Sequence, residues 1–257
     1  MSLRVDLNCD CGESFGRWRL GTDEEILKLV SSANVACGFH AGDPETMRRT
    51  VRLAADAGVA IGAHPGLPDR LGFGRRALAI TPEEAYASVL YQIGALEAFL
   101  CAAGETLRHV KPHGALYTMA AKDEALSEAL VAATRAAGSD LIFVGLAGTA
   151  MERAASRLAV PFAAEVFADR TVLADGTLTP RSRSDAFVND AAEAAERVVT
   201  MVHDGRVRAV TGEWIPVRAD TVCLHGDNPE AVAFARALRQ RLGEAGIAIA
   251  PLESVVR

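Results

Sequence analysis

The chain has 257 residues, of which 50% are hydrophobic and 23% charged, and it carries a formal net charge of -6. That length and apolar content suit one large domain, residues 1–257. The acidic balance and the lack of any Lys/Arg-rich run argue against nucleic acid as a partner. The N-terminus has no basic-then-apolar leader pattern. The longest apolar stretch, 141–151, is broken by Gly and Thr and too short for a bilayer, so no membrane is expected.

Short apolar runs alternate with helical patterns from end to end. Residues 4–9 read as a first strand, and Thr22 with Glu25 as a capping box opening the first helix. Residues 34–37 form a second strand, followed by Asp43-Pro44, an N-cap and a first-position proline. A third strand, 59–63, leads into a long loop. Thr81-Pro82-Glu83-Glu84 is another capping box, and its helix runs towards Gly104. Residues 108–111, 141–144, 162–166 and 221–224 supply the fourth to seventh strands. Pro229 opens a last long helix, and 247–250 is a short final strand or a tail. Two excursions interrupt the pattern: a hairpin around Asp175-Gly176 within 170–183, and a small β-ribbon within 203–218. Such alternation predicts a parallel sheet covered by helices, as either an open doubly wound sheet or a closed barrel.

The strand ends carry the chemistry. The first is followed by Asn8, Asp10 and Glu13, the second by His40 and Asp43, and the third by His64 and then Arg75 and Arg76. Lys111 and His113 end the fourth, Glu165, Asp169 and Arg170 the sixth, and His225 and Asp227 the seventh; only the fifth junction is apolar. In a parallel barrel these groups converge on one mouth, and six contributing junctions favour closure over the single switch point of an open sheet. Pro112 forces Lys111 to be extended, so Lys111 and His113 point into that mouth, where the lysine needs an anionic partner such as Asp10, Glu165 or a phosphoryl group. His109 shares their side of the strand but lies deeper, as a structural residue. Segment 67–76, rich in glycine and charge, reads as a mobile lid.

Other motifs are weak. Gly12-Glu13-Ser14-Phe15-Gly16 matches G-x-S-x-G without the helix a nucleophile elbow needs. No G-x-x-x-x-G-K-[ST] occurs, so the chain has no P-loop for ATP. The five cysteines are odd in number and lack a C-x-x-C pair, which predicts reduced thiols and a cytoplasmic location. Cys9, Cys37 and Cys223 sit in strand-like runs as small buried hydrophobes.

The runs DLNCDCGESFG, ANVACGFHAGDP, IGAHPGLPDRLGFGRR, VKPHGALY, EVFADR and CLHGDNP, in that order over nearly the whole chain, resemble those of the LamB/YcsF family. Two flanking positions depart from the family pattern, Thr118 after GALY and Thr171 after FADR. The resemblance implies a distorted seven-stranded parallel β/α barrel, similar to the glycoside hydrolase/deacetylase barrels. It also implies the role of an A subunit of bacterial 5-oxoprolinase, working with B and C subunits. That enzyme opens 5-oxoproline (pyroglutamate) to L-glutamate, with ATP as co-substrate and Mg as its companion ion.

A five-membered lactam is a poor electrophile, so phosphorylation of the amide oxygen would make its carbon attackable. Such a site needs cations, a base for water and an acid for the ring nitrogen. Asp10, His40, His64, Lys111 and His113 are the catalytic candidates. Asn8, Glu13, Asp43, Arg75, Arg76, Glu165, Asp169, Arg170, His225 and Asp227 are the substrate-binding candidates. On this reading no residue is assigned to a metal. Two alternatives stand beside it: a stand-alone metal-dependent deacetylase or amidohydrolase, with Asp10, His40 and His64 on a divalent ion, and a non-catalytic subunit that only presents substrate.

Overall fold

The computed structural model describes residues 3–225 and 231–256, with His225 by its backbone alone. Seven parallel strands form the wall: β1 (Arg4–Cys11), β2 (Ser32–Ala36), β3 (Ala60–His64), β4 (Leu107–Val110), β5 (Ile142–Gly145), β6 (Phe162–Phe167) and a seventh, Thr221–His225. They pair in chain order, and the last strand hydrogen-bonds β1, so the sheet is a closed barrel. The wall is irregular where β3 meets β4, with a register shift between Ile61 and Gly62.

The connecting helices cover the outside. They are α1 (Asp23–Ile26), α2 (Pro44–Asp56), α3 (Pro82–Ala103), α4 (Gly114–Ala120), α5 (Glu124–Ala137), α6 (Ala150–Arg157) and α7 (Ala191–Asp204). After α7 comes the antiparallel ribbon of β7 (Arg206–Arg208) and β8 (Trp214–Pro216), in the expected excursion; the last barrel strand is accordingly β9. A final helix, α8 (Ala231–Glu244), leads to β10 (Ala248–Ile249), which adds in parallel to the outer start of β1. The expected helix opening at Pro229 lies outside the described residues.

Local chemistry sets the helix ends. Asp43 accepts from Thr46 N at 2.8 Å with Pro44 behind it, and Thr81 and Glu84 make the full reciprocal box. Gly104 closes α3 in the left-handed region at φ 76°. Thr22 does not cap α1. Instead Asp23 turns back to accept from Gly12 N at 2.9 Å, and the helix is a single turn. Helix α3 is long and apolar enough by composition to cross a membrane; here its Ala85, Val89, Ile93, Leu96 and Leu100 are buried in the core.

Two facings divide the strands. On β1, Val5, Leu7 and Cys9 join the hydrophobic core beneath the helices. Asp6, Asn8 and Asp10, two apart, make their hydrogen bonds within the barrel lumen. The usual barrel interior of branched apolar side chains is here replaced by a polar network.

Candidate active site

The lumen network is built in three storeys. At the bottom, Asp6 accepts from Thr221 Oγ1 (2.5 Å), Ser32 Oγ (2.7 Å) and Ser31 Oγ (2.7 Å). Burial outweighs these bonds and pushes its carboxyl up to about 6. In the middle, Asn8 donates to Thr221 Oγ1 (2.7 Å) and Asn34 donates to Asn8 Oδ1 (2.7 Å). His109 Nε2 donates to Asn34 Oδ1 at 2.8 Å. His109 is fully buried, which lowers its pKa to about 3 and keeps the ring neutral. A Cβ on Gly62 would stand 2.1 Å from its Nε2, so the glycine makes room for the ring.

Lys111 occupies the top storey, 2% exposed. Its Nζ lies 2.7 Å from Glu165 Oε1 and 2.9 Å from Asp10 Oδ1, and also donates to Asn8 Oδ1 and Cys223 Sγ, each at 3.1 Å. Burial alone would discharge the ammonium. The charge of Asp10 leads the opposing effects, which hold the pKa well above the usual lysine value. Both anionic partners anticipated for Lys111 are present. Cys223 is buried as expected but bonds this ammonium, so it is more than packing.

Beside the lysine stand three histidines. His64 Nδ1 donates to Lys111 O (2.7 Å) and His113 Nε2 to Phe73 O (2.8 Å). The two rings meet at 3.0 Å through His113 Nδ1 and His64 Nε2. His40 stacks flat on His113, with centroids 3.7 Å apart and 3° between planes, and its Nε2 is 3.4 Å from Glu13 Oε1. Burial, then the neighbouring rings, holds His40 and His113 well below the ordinary histidine pKa. The ligand atoms of Glu13, His40, His64 and His113 all lie within 4.8 Å of one another, so this group could hold a metal ion. Of the ligand set weighed from sequence, His40 and His64 belong to it, Asp10 adjoins it, and Glu13 and His113 are added.

Segment 67–76 is built onto these rings. Leu67 is 1% exposed, and Gly72 N and Gly74 N bond Asp69. Arg70 bonds the carbonyls of Gly38 and Gly42. A Cβ on Gly66 would meet His40 Nδ1 at 2.5 Å, and one on Gly74 would meet His40 Cβ at 2.6 Å. These glycines therefore serve close approach rather than the freedom expected of a lid. Phe73 has φ 53°, a left-handed backbone that costs a non-glycine residue on the order of 1–3 kcal/mol. That turn holds its carbonyl against His113.

A cavity of about 340 Å³ opens at this mouth, a size suited to a small ligand. Asp10, Glu13, His64, Lys111 and His113 line it together with Arg75, Arg170, Lys122 and Arg181. Several sequence candidates lie elsewhere. His40 sits behind His113. Asn8 and Glu165 do not line the cavity and are committed to the lumen network. Asp43 is a helix cap that also accepts from Gly16 N at 2.7 Å. Arg76 is exposed and paired with Asp69. Asp169 is buried away from the cavity, and its carbonyl accepts from Val188 N. The His225 side chain and Asp227 lie outside the described residues. Sequence reasoning missed Tyr117, Thr118, Lys122 and Arg181 as cavity residues. Arg181 was findable, since it sits in the flagged excursion. Lys122 had no local signal, because only packing brings the α4–α5 turn to the mouth.

The model of the LamB/YcsF family matches residues 5–257. A protein of Geobacillus kaustophilus, named as the A subunit of 5-oxoprolinase, is 59% identical over 245 residues, which is 95% of each chain. The crystal structure of a lactam utilization protein from Thermus thermophilus superposes with a TM-score of 0.92 at 49% identity, covering 96% of this chain and 99% of that one. A polysaccharide deacetylase from Bacillus cereus shares the fold alone, with a TM-score of 0.51 at 12% identity over 97% of this chain and 91% of its own. The anticipated barrel is thus observed, and the chain belongs to the LamB/YcsF family.

Proposed function

We propose that this chain is the A subunit of an ATP-dependent 5-oxoprolinase and that the lactam binds in the barrel mouth. The observation that carries the reading is full-length likeness to proteins named for that role, combined with a small cavity lined by both carboxylates and cations. Arg75, Arg170, Arg181 and Lys122 suit a substrate carboxylate and a phosphoryl group. Asp10 is pinned through Oδ1 to Lys111 and Asn34. Its carboxylate lines the cavity, where it can orient and deprotonate a water aimed at an activated carbonyl. Lys111 acts through Asp10: it holds that carboxylate in place and balances its charge.

Nucleotide handling falls mainly to partner subunits B and C on this reading, or to a nonstandard site on this chain, since the sequence carries no P-loop motif. Free cysteines fit a reducing, cytoplasmic setting. Glutamate formation from 5-oxoproline and ATP, with and without those subunits, tests the reading. Turnover is expected only in the assembled complex, and Asp10→Asn should reduce it on the order of 100-fold or more. Robust ATP-dependent turnover by the single chain would contradict it. ATP-independent lactam hydrolysis would favour the stand-alone amidohydrolase, and wild-type turnover in the Asp10→Asn complex a purely presenting role.

A further inference from the structure

His64 and His113 are each tied through one nitrogen to a backbone carbonyl, His64 Nδ1 to Lys111 O and His113 Nε2 to Phe73 O. A carbonyl only accepts, so both of these nitrogens carry the ring proton. The remaining nitrogens, His64 Nε2 and His113 Nδ1, face each other at 3.0 Å. With those two protons committed to carbonyls, the facing nitrogens of the neutral rings both present lone pairs. Two carboxylates close the same space: Asp10 Oδ2 is 3.3 Å from His64 Nε2, and Glu13 Oε1 is 3.8 Å from His113 Nδ1. Each of these four residues is 7% exposed or less. Lone pairs and carboxylate oxygens thus converge on one buried corner, the arrangement of a metal-ligand set.

We propose that His64 Nε2, His113 Nδ1 and the carboxylate of Glu13 bind a divalent transition-metal ion of the zinc class, with Asp10 beside it. Two nitrogens each about 2.0–2.1 Å from one ion stand about 2.8–3.4 Å apart between octahedral and tetrahedral angles, a range that contains the observed 3.0 Å. Anchoring a histidine through its other nitrogen to a carbonyl is how metal-ligating rings are oriented. Mixed imidazole and carboxylate donors favour Zn²⁺ or Co²⁺ over Mg²⁺. His40 is not a ligand in this arrangement. Its ring lies parallel to His113 and 3.7 Å away, so its lone pairs pass alongside an ion held in the His113 plane. It roofs the site instead.

The full chain, stripped with a chelator, is titrated with Co²⁺, Zn²⁺ and Mg²⁺, using visible absorption for Co²⁺ and calorimetry for all three. X-ray absorption is then recorded on the Zn²⁺ form. No turnover is read, so failure of this site and failure of the 5-oxoprolinase reading are separate results. The expected outcome is one Co²⁺ or Zn²⁺ per chain, with histidine nitrogens in the first coordination sphere. Affinity should fall about 100-fold or more in His64→Ala and in His113→Ala, and stay unchanged in the exposed-site control His203→Ala. The wild-type absorption spectrum decides the matter should either variant fail to fold. Lack of stoichiometric binding, an ion without histidine ligands, or undiminished affinity in both folded variants overturns the proposal. The contact between the rings would then be an ordinary shared-proton hydrogen bond.

Discussion

Lys111 shows how one side chain can organise a site. Its ammonium is shared between Asp10 and Glu165 with almost no solvent, so each member of the triad is tolerable only because the others are present. Removing one partner of a buried pair typically costs about 3–5 kcal/mol, because uncompensated charge remains. Lys111→Met should therefore lower the unfolding free energy by about that amount, measurable by urea denaturation. It should lower turnover of the assembled complex more than the folded fraction alone accounts for. A variant as stable as wild type would mean that the two carboxylates take up protons and that the lysine is dispensable. Gly62 is a quieter case of the same dependence, since its missing side chain is the space His109 occupies.

At the scale of elements, the strand-end loops are fixed by the rings they touch. Segment 67–76 gives its Phe73 carbonyl to His113, and Gly74 O accepts from Ala115 N at the start of α4. Loop, histidine and helix start are thus one unit. Amide hydrogen exchange should find Gly72, Gly74 and Ala115 protected in the free chain, with little change when 5-oxoproline is added. Fast exchange that substrate slows would restore the lid reading. The strain at Phe73 belongs to this unit too, because a relaxed backbone there would turn the carbonyl away from the ring.

For the whole molecule, filling a barrel lumen with titratable groups makes stability depend on pH. His109 has its folded pKa lowered from 6.5 to about 3, so the unfolded chain binds more protons between those values and stability is lost as pH falls. The buried rings of His40 and His113 act in the same direction. Asp6 opposes them: its folded pKa is raised from 3.8 to about 6, so its contribution grows as pH falls through that window. At about 1.4 kcal/mol per pH unit, His109 alone accounts for about 3 kcal/mol between neutrality and pH ~4. Denaturant unfolding at a series of pH values should show His109→Gln flattening the acid loss. Asp6→Asn should steepen it between pH ~6 and ~4. Parallel profiles for both variants and wild type would rule out control by the lumen.

The strand and helix alternation, the Asp43 and Thr81 caps and the clustering of His, Asp, Glu and Lys at strand ends are local facts. They depend on near-neighbour hydrogen bonding and on periodicity, so the sequence alone determined them, and with them the barrel and its chemical end. What the fold alone decided is which of those groups reach the cavity. Asn8 and Asp10 are two residues apart on one strand, yet one is locked in the lumen and the other faces the ligand space. Arg75 and Arg76 are adjacent, yet one lines the mouth and the other pairs with Asp69. Lys122 comes to the mouth from a helix turn that carries no motif. Strand alternation tells which face a residue occupies, but depth along the barrel axis, ring orientation and loop packing are settled by contacts between residues far apart in the chain, such as Lys111 with Asp10 and Glu165, and Phe73 with His113.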